Sequence, residues 1–214
     1  MSTTTVAERV AEVRERIGAA ATRAGRDPAT ITLVAATKTV DAERVRAVLD
    51  AGVTDLGENR AQELLAKTEL GADIRWHFLG QLQRNKVRAL APWVSWWQSV
   101  DRPELGAEIA RRAPGARVLV EVNLGEERQK GGCRPGALPG LVAQLLGDGL
   151  DVEGLMAVPP HDGDPRRWFA ALRGHAATLG LRELSMGMTD DFETAIEEGA
   201  TIVRVGRALF GPRA

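Results

Sequence analysis

The sequence predicts an α/β fold: a single (β/α)8 TIM-type barrel, preceded by an N-terminal helix and extending over residues 1–214. Short apolar runs alternate with polar, amphipathic stretches, about eight such units follow one another, and no change of composition divides the chain. Alternating strands and helices are typical of a parallel sheet, and a chain of this length suits a compact barrel. A doubly wound open sheet with fewer strands is the alternative, because periodicity alone does not exclude it.

The first unit shows the pattern residue by residue. The chain opens with an amphipathic helix whose apolar face consists of Val6, Val10, Val13 and Ile17. An apolar run at residues 31–37 predicts a strand that is buried on both faces. Asp41 then caps a helix that ends at Gly52 and buries one stripe of side chains, Val45, Val48 and Leu49.

The same alternation continues to the end of the chain. Further strands are predicted at residues 54–58, 74–80, 94–100, 117–124, 152–159, 183–188 and 201–205. Amphipathic stretches lie between them, including residues 59–67, 102–112, 135–146, 166–179 and 190–198. In such a barrel the functional residues lie at the carboxyl ends of the strands.

Composition limits the function classes. The formal net charge of −1, from 28 basic and 29 acidic residues, gives no reason to expect a nucleic-acid or membrane partner. No apolar stretch approaches the roughly 20 residues of a membrane helix, and residues 1–14 lack the apolar segment of a secretory signal. A single cysteine excludes an intramolecular disulfide and suits a reducing compartment. We therefore expect a cytoplasmic protein.

No catalytic or ligand-binding role is predicted for several histidine, cysteine, aspartate and tryptophan residues. No metal site is predicted, because His161 and His175 belong to no cluster with ligand spacing. Cys133 lies in a glycine-rich loop without an activating base. Helix capping or packing accounts for the remaining group, Asp190, Asp191, Trp93, Trp96 and Trp97.

Lys38 follows directly on the first apolar run. If Thr37 faces the surrounding helices, Lys38 points towards the barrel axis. Burial lowers the pKa of a lysine, and a lowered pKa is what an amine needs to attack an aldehyde. The alternative is a lysine that ends a strand and extends its ammonium group into solvent.

The C-terminal segment combines a charge with a glycine turn. Arg204 lies within an otherwise apolar strand and needs an acceptor that is not adjacent in sequence. Gly206 begins a turn into a short helix whose free amides form a potential anion site. Ser185, at the end of the preceding strand, offers a hydroxyl group to the same anion. Alternatively, Gly187 is only a bend there and Thr189-Asp190 caps the next helix.

Together these residues match the requirements of pyridoxal 5′-phosphate (PLP). Lys38 supplies a Schiff base, backbone amides and a hydroxyl group hold the phosphate, and Arg204 meets the pyridine nitrogen. Arginine can only donate, so the ring nitrogen stays unprotonated and the ring withdraws electrons less strongly. Carbanion chemistry on the cofactor is therefore restrained.

The sequence resembles the PLP homeostasis proteins, the YggS-like family whose fold is the N-terminal barrel of alanine racemase. The resemblance covers nearly the whole chain and is carried by ATKT (36–39), GEN (57–59), WHFLG (76–80), QRNK (83–86), SVD (99–101), GLMA (154–157), LSMGMTDD (184–191) and VRVGRALFG (203–211).

The resemblance implies a role for each site residue. It implies that Lys38 forms the Schiff base and that Arg204 meets the pyridine nitrogen. It implies that the phosphate is held by Ser185 and by amides near Gly206 and Arg207. Two further residues in signature motifs are expected to line the pocket, Asn59 and His77. Arg207 stands where many relatives have a small residue, often threonine, which removes a side-chain hydroxyl from the phosphate site.

Three functions compete. The first is a protein that carries or buffers PLP in vitamin B6 homeostasis, with apo PLP-dependent enzymes as acceptors. The second is a PLP-dependent amino-acid racemase, which needs a second proton-transfer group. Alanine racemases take that group from a tyrosine of a following domain, whereas this sequence contains no tyrosine and ends at Ala214, directly after the last predicted element. The third is a Schiff-base aldolase, which leaves Arg204 without a function. We therefore expect a carrier and not an enzyme.

Overall fold

Eight parallel strands close into a barrel in the order of the chain. The computed structural model describes residues 4–160 and 163–211. The strands are β1 (Thr32–Ala36), β2 (Asp55–Glu58), β3 (Arg75–Phe78), β4 (Val94–Val100), β5 (Arg117–Glu121), β6 (Asp151–Met156), β7 (Glu183–Ser185) and β8 (Ile202–Val205). β1 pairs with β8 over four registered positions, from Thr32 opposite Ile202 to Ala35 opposite Val205. This closure confirms the predicted barrel and excludes the open sheet.

Helices surround the barrel. In the described residues they are α1 (Val6–Arg23), α2 (Ala42–Asp50), α3 (Ala61–Leu65), α4 (Arg84–Leu90), α5 (Pro103–Arg112), α6 (Leu138–Gly147), α7 (Arg166–Thr178), α8 (Phe192–Glu197) and α9 (Arg207–Phe210). None of those helices is both long enough and apolar enough to cross a bilayer. The hydrophobic pattern did not predict α4, and most strands end one to three residues earlier than predicted.

The N-terminal helix is fixed at its start and along one face. Thr5 and Glu8 form a reciprocal capping box, in which the Thr5 hydroxyl accepts from the Glu8 amide. The predicted apolar face is buried at Val10, Val13 and Ile17, and the helix packs against α2, α8 and α9. It thereby covers the seam where β1 and β8 close the barrel.

The core has two parts. The larger part lies between the strands and the helices, and the smaller part fills the barrel interior with Val34, Leu119, Met156 and Ile202. Alternate strand residues point to opposite faces, so each strand contributes to both parts. The polar residues of the barrel interior lie in the layers above and below this apolar cluster, and the candidate site is formed by them.

The structure agrees with some of the predicted helix caps and buried tryptophans and differs at others. Asp41 caps α2 by accepting from the Arg44 amide, as predicted. Asp191 directly precedes α8, but its carboxylate accepts from the Met188 amide at 2.6 Å instead of from a helix amide. Trp97 is buried, whereas Trp93 is 43% exposed. Within residues 4–160 and 163–211 no cluster of metal-ligating side chains exists, and His161 lies outside them.

Candidate functional site

Three predicted site residues lie at the carboxyl ends of neighbouring strands. Lys38 follows β1, Asn59 follows β2 and Gly206 follows β8, and β1 lies between the other two strands in the sheet. Lys38 is half-buried. Gly206 is so close to β1 that a Cβ atom there would stand 3.3 Å from the Ala36 carbonyl oxygen. The loop of Lys38 and the turn of Gly206 are therefore adjacent.

A buried ion pair supports the Lys38 loop from the outer side of the barrel. Lys67 Nζ donates to Glu58 Oε1 at 2.6 Å and to the Thr37 carbonyl oxygen at 2.7 Å. Thr37 Oγ1 donates to the same Glu58 oxygen. Burial raises the pKa of Glu58, and the bonds from Lys67 and Thr37 oppose that rise. Thr37 thus faces the helices. This is the condition under which the strand pattern predicts that Lys38 points towards the barrel axis.

The turn at Gly206 presents unpaired amides. Among the described residues, neither the Gly206 amide nor the Arg207 amide donates to any acceptor, while the Ala208 amide donates to Thr189 Oγ1 at 3.3 Å. The Arg207 side chain pairs with Asp190. The loops after β7 and β8 are therefore linked by this ion pair, and the Arg207 backbone amide is available to an anion at this turn.

Arg204 and Ser185 are in direct contact inside the barrel. Arg204 Nη1 donates to Ser185 Oγ at 2.7 Å, and Nη2 donates to the Ala157 carbonyl oxygen at 2.9 Å. Arg204 Nε donates to no atom of the described chain. Burial lowers the pKa of Arg204 to about 10, opposed by the charges of Glu121 and Asp191, so the guanidinium stays protonated at neutral pH.

The Ser185 hydroxyl has partners that the sequence did not predict. Its residue is fully buried, and Oγ donates to Gln98 Oε1 at 2.6 Å while it accepts from Arg204. A direct bond from this hydroxyl to a phosphate would require the bond to Gln98 to break. The phosphate role of Ser185 stays a prediction, and Thr189 is a second hydroxyl at the same loop.

His77 lies deeper than a rim residue. Its Nδ1 is 2.6 Å from Gln98 Nε2 and its Nε2 is 3.0 Å from Asp55 Oδ1. Its ring is stacked on Trp96, with 5.9 Å between the centroids. Burial lowers the pKa of His77 in spite of Asp55, so the ring is neutral near pH 7. His77 therefore reaches Arg204 only through Gln98 and Ser185, and its pocket role stays a prediction.

Glu121 adds an acid near Arg204. Burial, with a contribution from the charge of Asp101, raises its pKa to about 7, although the Arg204 charge opposes the rise. Its Oε2 atom is buried and has no hydrogen-bond partner among the described residues. By contrast, burial raises the pKa of Cys133 to about 12, so that thiol is not a nucleophile at neutral pH.

Sequence reasoning missed Gln98, Glu121 and Asp55, although each is a polar residue at an inward position of a predicted strand. Asn59 also borders a cavity of about 460 Å³ beside the barrel mouth, which is lined in part by basic side chains, Arg60, Lys86 and Arg102.

Comparison with known proteins identifies the family. Residues 9–214 match the family model described as alanine racemase, N-terminal domain. The pyridoxal phosphate homeostasis protein of Pseudomonas aeruginosa is 44% identical, over 98% of this chain and 96% of its own length. The chain belongs to the pyridoxal phosphate homeostasis protein family.

Solved structures agree with this family. PipY of Synechococcus elongatus PCC7942, a structure with PLP bound, matches with a TM-score of 0.85 and 34% identity over 97% of this chain and all of that one. Alanine racemase from Corynebacterium glutamicum matches with a TM-score of 0.70 and 16% identity, over 94% of this chain and 61% of that one. The racemase shares the barrel over 61% of its length, whereas PipY is covered over its whole length.

Proposed function

We propose that this protein binds PLP as a Schiff base on Lys38 and carries or buffers the cofactor in vitamin B6 homeostasis. The observation that carries the proposal is the juxtaposition at the barrel mouth. The amides of Gly206 and Arg207 have no acceptor among the described residues and lie beside the Lys38 loop, and Arg204 is buried one layer below. Membership of the family supports the same conclusion.

The residues present fit the cofactor. Unpaired amides at a glycine turn suit a phosphate, because a side chain at that position would occupy the space above β1. Arg204 Nε suits a pyridine nitrogen, which can only accept from it. Asn59 follows β2, on the other side of β1 from Gly206, and we propose that it lines the cofactor pocket.

Each residue then has a defined task. PLP supplies an aldehyde and an electron-withdrawing ring. Lys38, once deprotonated, forms a C=N bond with the aldehyde carbon, and water leaves. The amides at Gly206 and Arg207 hold the phosphate, and Arg204 donates to the ring nitrogen and keeps it unprotonated. Lys67 and Glu58 hold the backbone from which Lys38 extends.

We propose that the protein does not turn over amino acids. The 214 residues contain no tyrosine that could exchange a proton on the face opposite Lys38. Arg204, which is cationic at neutral pH, also restrains the ring as an electron acceptor. Both arguments concern this chain's own residues and favour a carrier over a racemase.

Borohydride reduction tests the binding mode. Reduction of the PLP-saturated protein, followed by peptide mass mapping, is expected to place the phosphopyridoxyl group on Lys38. Lys38→Ala should lose both the trapped group and the visible absorbance of the bound cofactor, whereas the control Lys86→Arg should keep them. A label on another lysine, or no label at saturation, refutes the assignment.

A further inference from the structure

Five polar side chains form a continuous hydrogen-bonded chain through the barrel interior. Arg204 of β8 contacts Ser185 of β7, Ser185 contacts Gln98 of β4, Gln98 contacts His77 of β3, and His77 contacts Asp55 of β2. The four bonds are between 2.6 and 3.0 Å long. All five residues are at most 7% exposed.

The chemistry of the end groups fixes the direction of every bond. Arg204 can only donate, so the Ser185 oxygen accepts from it and the Ser185 proton goes to Gln98 Oε1. The amide nitrogen of Gln98 then donates to His77 Nδ1. The remaining ring nitrogen, Nε2, carries the proton and donates to Asp55.

The far end of the hydrogen-bonded series, at Asp55, is anchored at the opposite mouth of the barrel. Asp55 also accepts from Arg75 Nε at 2.8 Å, and the Arg75 side chain is 57% exposed. Burial acts to raise the pKa of Asp55, but the bonds from His77 and Arg75 outweigh it and lower that pKa. The hydrogen-bonded series therefore extends from a cation, Arg204, at one end to a carboxylate, Asp55, at the other.

A reversed orientation at any point would leave buried groups unsatisfied. If the Gln98 amide were flipped, its nitrogen would face the Ser185 hydroxyl and its oxygen would face His77. Ser185 would then have two donors and no acceptor, at a cost of about 1–3 kcal/mol for each unsatisfied buried group. The bonds also polarise one another in one direction. The hydrogen-bonded series thus holds Arg204 in a single orientation.

We infer that Gln98, His77 and Asp55 are positioning residues for Arg204, holding the guanidinium where it meets the pyridine nitrogen of the cofactor. This inference rests on the proposed function. It assigns to His77 a task three hydrogen bonds away from Arg204, at a depth where it lies against Trp96 and Asp55 instead of at the rim.

The first test uses the apo protein and the protonation of His77. The charged groups that bear on this ring are Asp55 and Arg75. In ¹⁵N-histidine spectra, wild-type His77 is expected as the neutral Nε2–H form at pH 7. Gln98→Glu places a second carboxylate against Nδ1, so both ring nitrogens should become protonated. Gln144→Glu, on the exposed face of α6, is the matched control and should leave the signals unchanged.

The second test uses the cofactor. Gln98→Met keeps the volume but removes the link, so PLP binding is expected to weaken about tenfold and the absorbance of the bound cofactor to shift. Gln98→Glu still accepts from Ser185 and should keep an affinity within about threefold of wild type. A purely structural role would not separate the two variants in this order.

Two results overturn the inference. One is a neutral His77 ring in Gln98→Glu at pH 7. The other is a Gln98→Met protein that folds and binds PLP with wild-type affinity and spectrum. A failure of the proposed function is visible separately, because wild-type protein without a trapped group on Lys38 refutes the cofactor site even where the His77 signals behave as expected.

Discussion

At the scale of single residues, Glu121 couples the stability of the barrel to pH. The unfolded chain releases the Glu121 proton near the ordinary pKa of 4.5, whereas the folded protein retains it up to about 7. Between these values the folded state binds more protons, so the stability falls as the pH rises through this window and levels off above it.

Glu121→Gln should remove this loss of stability at high pH, because glutamine does not ionise. The variant is expected to match wild type near pH 4 and to exceed it at pH 8 by on the order of 3 kcal/mol in the free energy of unfolding. Urea unfolding at the two pH values measures the difference. Glu69→Gln, at an exposed position, is the control. Equal pH dependence in wild type and Glu121→Gln would show that Glu121 does not titrate in this way.

Gly206 is the second residue whose replacement gives a sharp expectation. Its backbone lies beside the Ala36 carbonyl, so a valine side chain should block the approach of a phosphate. Gly206→Val is expected to weaken PLP binding at least about tenfold, or about 1.4 kcal/mol, with a smaller effect on the apo protein. Gly206→Ala should give an intermediate loss. A fluorescence or absorbance titration with PLP measures the affinity, and a wild-type value for Gly206→Val would remove this turn from the site.

At the scale of elements, the loop after β1 depends on the segment that follows α3. Lys67 lies just beyond α3, and its ammonium group bonds the Thr37 carbonyl and the Glu58 carboxylate. Removing one partner of a buried pair leaves an uncompensated charge, which costs more than removing both. The Lys38 loop is therefore supported by an ion pair from a neighbouring β/α unit.

Lys67→Met should destabilise the protein by about 3–5 kcal/mol, because Glu58 would remain buried without its cation. The double variant Lys67→Met/Glu58→Gln should recover part of this loss. Urea unfolding measures both, and borohydride trapping reports whether Lys38 is still reactive. A double variant less stable than Lys67→Met would contradict the assignment of the loss to the unpaired carboxylate.

At the scale of the whole molecule, the barrel mouth combines the site with its access route. The loops after β1, β2, β7 and β8 surround the predicted cofactor position, and a cavity of about 460 Å³ borders Asn59 on one side. An accessible cofactor suits transfer to acceptor proteins, whereas catalysis benefits from a closed site that excludes water.

The holo protein is therefore expected to restore activity to an apo PLP-dependent enzyme and to leave amino acids unchanged. Incubation with L-amino acids in deuterated water measures exchange at Cα, and mixing with an apo aminotransferase measures transfer. Lys38→Ala loaded under the same conditions is the control. Rapid, saturable Cα exchange would favour a racemase, and a failure to reactivate any acceptor would leave buffering without delivery.

The sequence by itself determined the eight strands, and it predicted two residues of the candidate site. Eight buried strands are visible because hydrophobic periodicity is a local property, and the strand ends carry Lys38 and Arg204 in positions that a parallel barrel brings to one face. The capping of α2 by Asp41 is local as well. Such features need only the residues within a few positions of one another.

Only the tertiary structure decided what these residues touch. Ser185 and Gln98 are 87 positions apart, so their contact follows from barrel closure and from the depth of each strand. The same holds for Glu58 behind Lys38 and for the pairing of Arg207 with Asp190. Periodicity indicates which face a side chain takes but not its height along the barrel axis. Height depends on the register of neighbouring strands, and that register is set by packing across the whole barrel.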